Sequence, residues 1–358
     1  MLKILHSADW HLDSPFTGRA EAEAQLLRRE LQKIPEKVAA LCCAEGCELL
    51  LLAGDLFDGA YSRETFRLVS TALADCGAQV VISPGNHDYF GEKSPYFLEK
   101  WPENVHIFQK PSISSFVFPE LACEVFGAGY TAMDCPGLLR GFRAQSEQEF
   151  CIGLLHGDAT KTSSPYCPVS QAQVRGSGLD YLALGHIHRA DRFCAGGTLC
   201  AWPGCPMSRG FDEDGAGGVL LVELEPGEAR AELRPLNTLR FHDLSVEPGD
   251  DALAAAESRL PPVASDDFYR LTFTGYSAPL DLAAIAARFP QLPHLELRDR
   301  TVPEADLWAC TGEDSMEGMY FALLQSGLDT QSEDLRRRVR LAARISRQIL
   351  DGQEVELP

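Results

Sequence analysis

No stretch of the 358-residue chain approaches the roughly 20 uninterrupted apolar residues that a membrane span needs, so no spanning helix is expected. The opening MLKILHSADWH carries neither the apolar core nor the small-residue cleavage site of a secretory signal, which makes the cytoplasm the expected location. No C-x-x-C pair occurs among the 12 cysteines. They are scattered, and several lie in apolar runs (Cys42, Cys43, Cys151), so they read as reduced, buried small hydrophobes rather than disulfides or zinc ligands. Basic residues are scarce: 32 against 52 acidic ones leave a net charge of −20, which opposes unaided binding to a nucleic-acid backbone. A polyanionic substrate would need local help. Internal repeats and low-complexity tracts are also missing, and the remaining composition, 45% hydrophobic and 23% charged, is that of an ordinary globular protein with one large domain or two to three smaller ones.

Apolar runs predict strands at 2–6, 48–53 and 79–83, alternating with helical patterns at 20–43 and 63–76. That succession is βαβαβ, an α/β sheet with parallel pairing. Beyond residue 100 short strands follow one another (105–108, 115–118, 123–126, 150–155, 181–184, 198–202, 219–225, 229–236), which predicts a second, mixed or antiparallel sheet in the same domain, 1–239. A fresh strand–helix–strand–helix–strand pattern bounded by Pro261, Pro262, Pro290 and Pro303 predicts a small α+β accessory, or capping, domain over 240–303. The segment 304–358 is expected to end in a helix over 333–350. There Leu335, Val339, Ala342, Ile345 and Ile349 make one apolar stripe and six arginines lie mostly elsewhere, so this helix is +4 and the rest of the chain −24.

Five short motifs fall where predicted strands run out, the place where open α/β sheets put ligand-binding groups. They are Asp9-Trp10-His11, Gly54-Asp55-Leu56-Phe57-Asp58, Gly85-Asn86-His87-Asp88, His156-Gly157-Asp158 and Gly185-His186-Ile187-His188. Each alone also reads as a polar strand end, a turn or an N-capped helix start. Together they offer imidazoles, carboxylates and an amide in order. Two divalent ions need a bridging carboxylate, further N and O ligands and an open edge for water and substrate. D-x-H and H-x-H suit that need if each is extended, because alternate residues then point the same way. With no Cys in the set, manganese, iron or zinc is favoured over a soft metal, and magnesium alone fits poorly with so many imidazoles.

The strings DWHLDSPF, GDLFD, GNHD and GHIH resemble the calcineurin-like metallophosphoesterase superfamily, and within it the SbcD-like nuclease group and its YhaO-like DNA-repair exonuclease branch. The resemblance covers about the first 240 residues. It implies a four-layer α-β-β-α sandwich with two divalent metal ions at its rim, manganese first, iron or zinc as alternatives. Asp9, His11 and His188 would bind one ion, Asp55 would bridge, and Asn86, His156 and His186 would bind the other. By the same resemblance His87 touches the phosphate and leaving oxygen instead of a metal, and Asp58 orients it. The reaction implied is hydrolysis of DNA phosphodiester bonds by a metal-bridging hydroxide, as a repair exonuclease or endonuclease. The partners implied are DNA, an SMC-like ATPase of the SbcC type docked on the final helix, and a second copy in a homodimer.

Those roles agree with elementary chemistry, since two dications outweigh the two charges of Asp9 and Asp55 and give an acidic molecule a positive focus for phosphate. A small-molecule or nucleotide phosphodiesterase would share every ligand. A protein phosphatase is disfavoured by Gly59 after Asp58, where that branch carries Arg, and a non-catalytic scaffold by the complete ligand set. Arg189 reads as a phosphate clamp or a surface residue, and Trp10 as core. In Pro203–Glu213 (PGCPMSRGFDE) Cys205 stands where the family loop usually has Ser, and Arg209 is a candidate substrate contact. Asp13, Asp88 and Asp158 read as anchors for ligand histidines or as turn residues. His6, His242 and His294 read as structural. The Arg-rich final helix either packs on its own domain or docks a partner.

Overall fold

The aliphatic runs of the first 107 residues build the centre of one sheet. β1 (Leu2–Ser7), β2 (Leu49–Leu52), β3 (Gln79–Ile82) and β4 (Val105–Ile107) lie parallel, with Ile4 opposite Leu49 and Leu51 opposite Val81. This computed structural model describes residues 1–161, 163–213, 217–249, 251–329 and 332–352, and Cα proximity divides the chain into Met1–Phe241 and His242–Pro358. The crossovers of the first sheet are α1 (Glu21–Leu31), α2 (Ile34–Glu45), α3 (Arg63–Asp75) and the single turn α4 (Pro95–Leu98). The single helix expected over 20–43 is therefore two. Pro35 sits in the first turn of α2, where its missing N–H costs nothing, but it cannot continue a hydrogen-bond ladder from α1.

A second sheet holds β5 (Ser114–Phe118), β6 (Cys123–Gly127), β7 (Phe150–His156), β8 (Tyr181–Gly185), β9 (Asp191–Ala195) and β10 (Thr198–Trp202) in the order β5-β6-β7-β8-β10-β9. Its centre is parallel and both its edges are antiparallel. β11 (Gly218–Glu225) and β12 (Glu228–Pro235) return to the first sheet beside β1, antiparallel.

Strand alternation then dictates the layers. Leu49, Leu51 and Val81 share one apolar cluster with Val125, Ile152, Leu154 and Ala183 of the second sheet. Leu50, Leu52, Val80 and Ile82 point the other way and are equally buried, as are Leu27, Leu31, Val38, Val69 and Leu73 of α1 to α3. On the outer face of the second sheet, Val174 of α5 (Gln171–Ser177) and the loop residues Tyr130, Leu139, Cys167 and Val169 pack with Leu155, Leu182 and Leu184. The expected α-β-β-α order is present, with a thin last layer made mostly of loops.

In the second unit, β13 (Phe241–Val246), β14 (Phe268–Phe273) and β16 (Leu295–Asp299) form a sheet whose cluster includes Ala256 of α6 (Ala252–Arg259) and Ile285 of α7 (Leu282–Ala286). The remaining strands, β15 (Tyr276–Ser277) and β17 (Val302–Pro303), pair in parallel, and α8 (Glu304–Leu307), α9 (Met316–Ser326) and α10 (Glu333–Leu350) follow. The expected segments 240–303 and 304–358 fall in this one unit, except for residues 240 and 241. α10 buries Ala343 and part of Val339 against Leu307, Trp308 and Phe321, while Leu335 and Ile349, the ends of the expected stripe, are exposed. Two of its arginines are not a wet face either: Arg344 pairs with Glu247, and Arg347 pairs with Glu317 with its guanidinium 4.3 Å above the Phe321 ring. Among the described residues no helix is long and apolar enough to cross a membrane.

Candidate metal centre and catalytic groups

The parallel strands β1, β2, β3, β7 and β8 each end in one of the five motif loops. The first departs from the extended geometry expected of D-x-H. β1 ends at Ser7, and Asp9 and His11 are both left-handed, at φ 53° and 47°. Asp55 (53°) and His186 (89°) are left-handed too. Each such non-glycine residue costs roughly 1–2 kcal/mol, and surrounding bonds must impose it. Asp9 N donates to Gly54 O (3.0 Å), His11 N to Asp55 O (2.9 Å) and Leu12 N to Leu56 O (2.9 Å), so the first two loops are zipped together. Asp88 fixes the third: its carboxylate accepts from the backbone N–H of Gly85, Asp55, Leu56 and Phe57 and from the Tyr96 hydroxyl, between 2.6 and 3.3 Å. Loops pressed this close need glycine: a Cβ on Gly85 would lie 2.2 Å from Asp55 Oδ1, and one on Gly185 1.9 Å from Ala53 O.

Donor atoms converge in two places. The His156 Nδ1–H donates to Ala53 O at 2.8 Å, so its Nε2 carries a lone pair; that lone pair faces Asn86 Oδ1 at 2.9 Å and Asp55 Oδ2 at 3.4 Å. Three acceptors share one space. Burial pulls the His156 pKa down, but Asp55 and Asp9 push it up further, to about 9. The convergence therefore attracts a cation, and a proton is merely the smallest. Close by, His11 Nε2 and His188 Nε2 stand 3.2 Å apart. If neutral His11 donated, its Nδ1, which is buried without a hydrogen bond 3.7 Å from Asp58 Oδ1, would turn a lone pair on that carboxylate; if neutral His188 donated, its Nδ1 would do the same to Glu213 Oε1 at 2.9 Å. A cation shared by both Nε2 atoms lets each ring keep its proton on Nδ1. Asp9, His11 and His188 offer donor atoms within 4.8 Å of one another, and so do Asp9, Asp55 and His156. The residues present thus fit a pair of divalent ions. His186 is the outlier: its ring lies 5.2 Å from that of His156, and its backbone N–H donates to both oxygens of Asp9, but it belongs to neither group.

His87 and Asp58 meet as anticipated. The His87 Nδ1–H donates to Asp58 Oδ1 at 2.7 Å, and Asp58 also accepts from Ser14 Oγ at 2.7 Å. That bond raises the His87 pKa against the opposing effect of burial, which favours the protonated ring, and 41% of the side chain remains exposed, so the ring is accessible. Trp10 is buried with Nε1–H on Ser7 Oγ. Asp13 and Asp158 bond backbone and hydroxyl groups of neighbouring turns (Ser62 N and Thr65; Thr160 and Lys161), and Asp88 does the work described above, so none of the three holds a histidine ring. Arg189 is exposed. His6 bonds the Tyr181 hydroxyl, and His242 and His294 stack on Tyr269 and Phe268, all three structural as read. Glu213 is the residue overlooked: its Oε1 receives His188 Nδ1–H at 2.9 Å.

A model of the calcineurin-like phosphoesterase family matches residues 2–190. The chain belongs to this family. It is 34% identical over 261 residues to the metallophosphoesterase YhaO of Bacillus subtilis (strain 168), covering 69% of this chain and 62% of that protein, so the chain spans somewhat under two thirds of that relative's length. The SbcD component of the SbcCD nuclease of the same organism is 24% identical over 269 residues, 63% of this chain and 67% of that one. Among solved structures, a dimetal phosphatase from Danio rerio overlaps 62% of this chain and 92% of its own at 14% identity and a TM-score of 0.42. The match to the calcineurin-like model takes in all five motif loops and ends before Arg209 and Glu213.

Proposed function

We propose that the protein is a two-metal phosphodiesterase that cleaves DNA phosphodiester bonds, with manganese as its ion. One observation carries the reading: His156 Nε2, Asn86 Oδ1 and Asp55 Oδ2 converge on one space, and His11 Nε2 stands 3.2 Å from His188 Nε2, two adjoining clusters of ligand atoms that attract a cation. Asp9, His11, Asp55, Asn86, His156 and His188 would hold divalent ions there, with His186 reaching them only after its ring turns, and such ions would supply Lewis acidity at phosphoryl oxygens and acidify water near neutral pH.

The chain's own groups do the rest. Asp55 is buried, its Oδ2 toward His156 and His11 and its Oδ1 held by His87 N–H, so its charge is aimed into the site rather than lost to solvent. Asp58 keeps the His87 imidazolium charged and oriented, leaving Nε2–H to be given to the departing oxygen, a step worth roughly 10²–10⁴-fold. Left-handed backbone at Asp9, His11 and Asp55 holds these groups in place before substrate arrives.

DNA as substrate is supported by the likeness to a nuclease component and by the +4 charge of α10. The net charge of −20 favours a second reading, a nucleotide or small phosphodiester. One assay separates them: manganese-loaded protein with single-stranded DNA, duplex DNA and a chromogenic phosphodiester at low and high salt. DNA cleavage with steep salt dependence is expected; turnover of the small ester alone would transfer the proposal to the second reading. The partner, an SMC-like ATPase, would dock on exposed apolar residues of α9 and α10, Met319, Leu323, Leu335 and Ile349. Leu335→Asp and Ile349→Asp should abolish ATPase co-purification and leave ester hydrolysis unchanged.

A further inference from the structure

We propose that Glu213, clamped by Arg209, is a positioning residue that locks the tautomer of His188 and thereby sets the affinity of one of the two ions. The inference rests on the two-metal reading above and goes beyond it, because Arg209 and Glu213 lie outside the segment matched to the family.

A carboxylate can only accept, so Glu213 Oε1 at 2.9 Å from His188 Nδ1 requires the proton on Nδ1 and leaves the lone pair on Nε2, the nitrogen that faces His11. Without Glu213 the opposite tautomer has a partner waiting, since Arg209 Nη2 lies 3.4 Å from the same Nδ1 and could donate to it. The lone pair would then leave Nε2. Glu213 is itself immobilised: Arg209 gives it Nη2–H at 2.7 Å, Nε–H at 3.1 Å and its own backbone N–H at 2.7 Å on Oε2. With 9% of its side chain exposed, the carboxylate is nearly dry, where such charge-assisted bonds count most. The guanidinium extends further, with Nη1 3.5 Å from Ser14 Oγ and 3.9 Å from Asp58 Oδ2, so one arginine braces both the group behind His188 and the group behind His87.

Partners placed behind metal-binding imidazoles typically change affinity 10- to 100-fold. The test is calorimetric titration of Mn²⁺ into the metal-stripped full chain, with thermal unfolding recorded in chelator. For Glu213→Ala, one ion should bind 10- to 100-fold more weakly and the other as in the wild type. Glu213→Gln, which keeps an acceptor oxygen, should recover affinity to within a few-fold. Equal affinities in wild type and Glu213→Ala, or equal weakening of both ions with a lowered unfolding temperature and no recovery in Glu213→Gln, would overturn the assignment. A wild-type chain that takes up no Mn²⁺ would instead sink the two-metal reading itself.

Discussion

Leu51 and Asp55 are four residues apart, one in β2 and one in the loop that leaves it, and they are equally inaccessible, at 0% and 1%. Ile152 and His156 repeat the contrast along β7. Burial of Leu51 between the sheets contributes roughly 1.5–3 kcal/mol. Burial of Asp55 works against its charge, and only His156, His11 and the His87 side keep its pKa below the usual carboxylate range. Adjacent turns of one chain thus spend their burial oppositely: the strand bodies hold the fold, and the rim stores polar groups that the fold must hold against their own solvation. Activity and stability should therefore separate along single strands.

The widest separation is expected at Asp55→Asn. Loss of the shared charge should lower turnover about 10⁴-fold, the several kcal/mol assigned to metal electrostatics, and abolish the rise in unfolding temperature on adding Mn²⁺. Because its surroundings hold the Asp55 pKa below the usual range, the charge favours the native state near neutral pH, and urea unfolding in chelator should show a loss of stability smaller than that of Leu51→Ala; a loss as large would mean that the rim is structural after all. His87→Ala comes next, with turnover down about 10³-fold and two ions still bound by elemental analysis. Leu51→Ala should invert the pattern, costing about 2–5 kcal/mol in urea while the folded fraction keeps wild-type turnover.

The same contrast explains what could be read without coordinates. LLLL at Leu49–Leu52 can hardly be anything but a strand buried on both faces, and Gly54, Gly85, Gly157 and Gly185 in four of the five motifs mark where strands must turn. What escaped reading was backbone sign. D-x-H looks alike in an extended and in a left-handed segment, and only the ladder from Gly54 and Asp55 to Asp9 and His11 selects the latter. Pro35 was the available signal for two helices in place of one. Glu213 had no comparable signal: it is one of 52 acids, 25 positions along the chain from His188. Its only clue was Arg209 four positions earlier in a loop already noted for Cys205.

Asp88 tests the boundary between the two regions, because it is buried like the core and charged like the rim yet faces neither a metal donor group nor the apolar cluster. Its five donors come from the backbone of two loops and from Tyr96, so it ties rim to scaffold. In Asp88→Asn one oxygen becomes an NH₂, and Leu56 N–H, Phe57 N–H and the Tyr96 hydroxyl, which all use Oδ2, meet a donor or lose an acceptor. The expected cost is about 1–3 kcal/mol in urea. Because the same carboxylate positions Asp55 N and Gly85 N, turnover should fall together with stability, by about tenfold, with both ions retained. Tyr96→Phe removes a single one of these bonds at 2.6 Å and should cost about 1 kcal/mol with little change in turnover. If Asp88→Asn lost stability alone, the rim would be independent of its support, and the left-handed residues would owe their geometry to the zipped first two loops only.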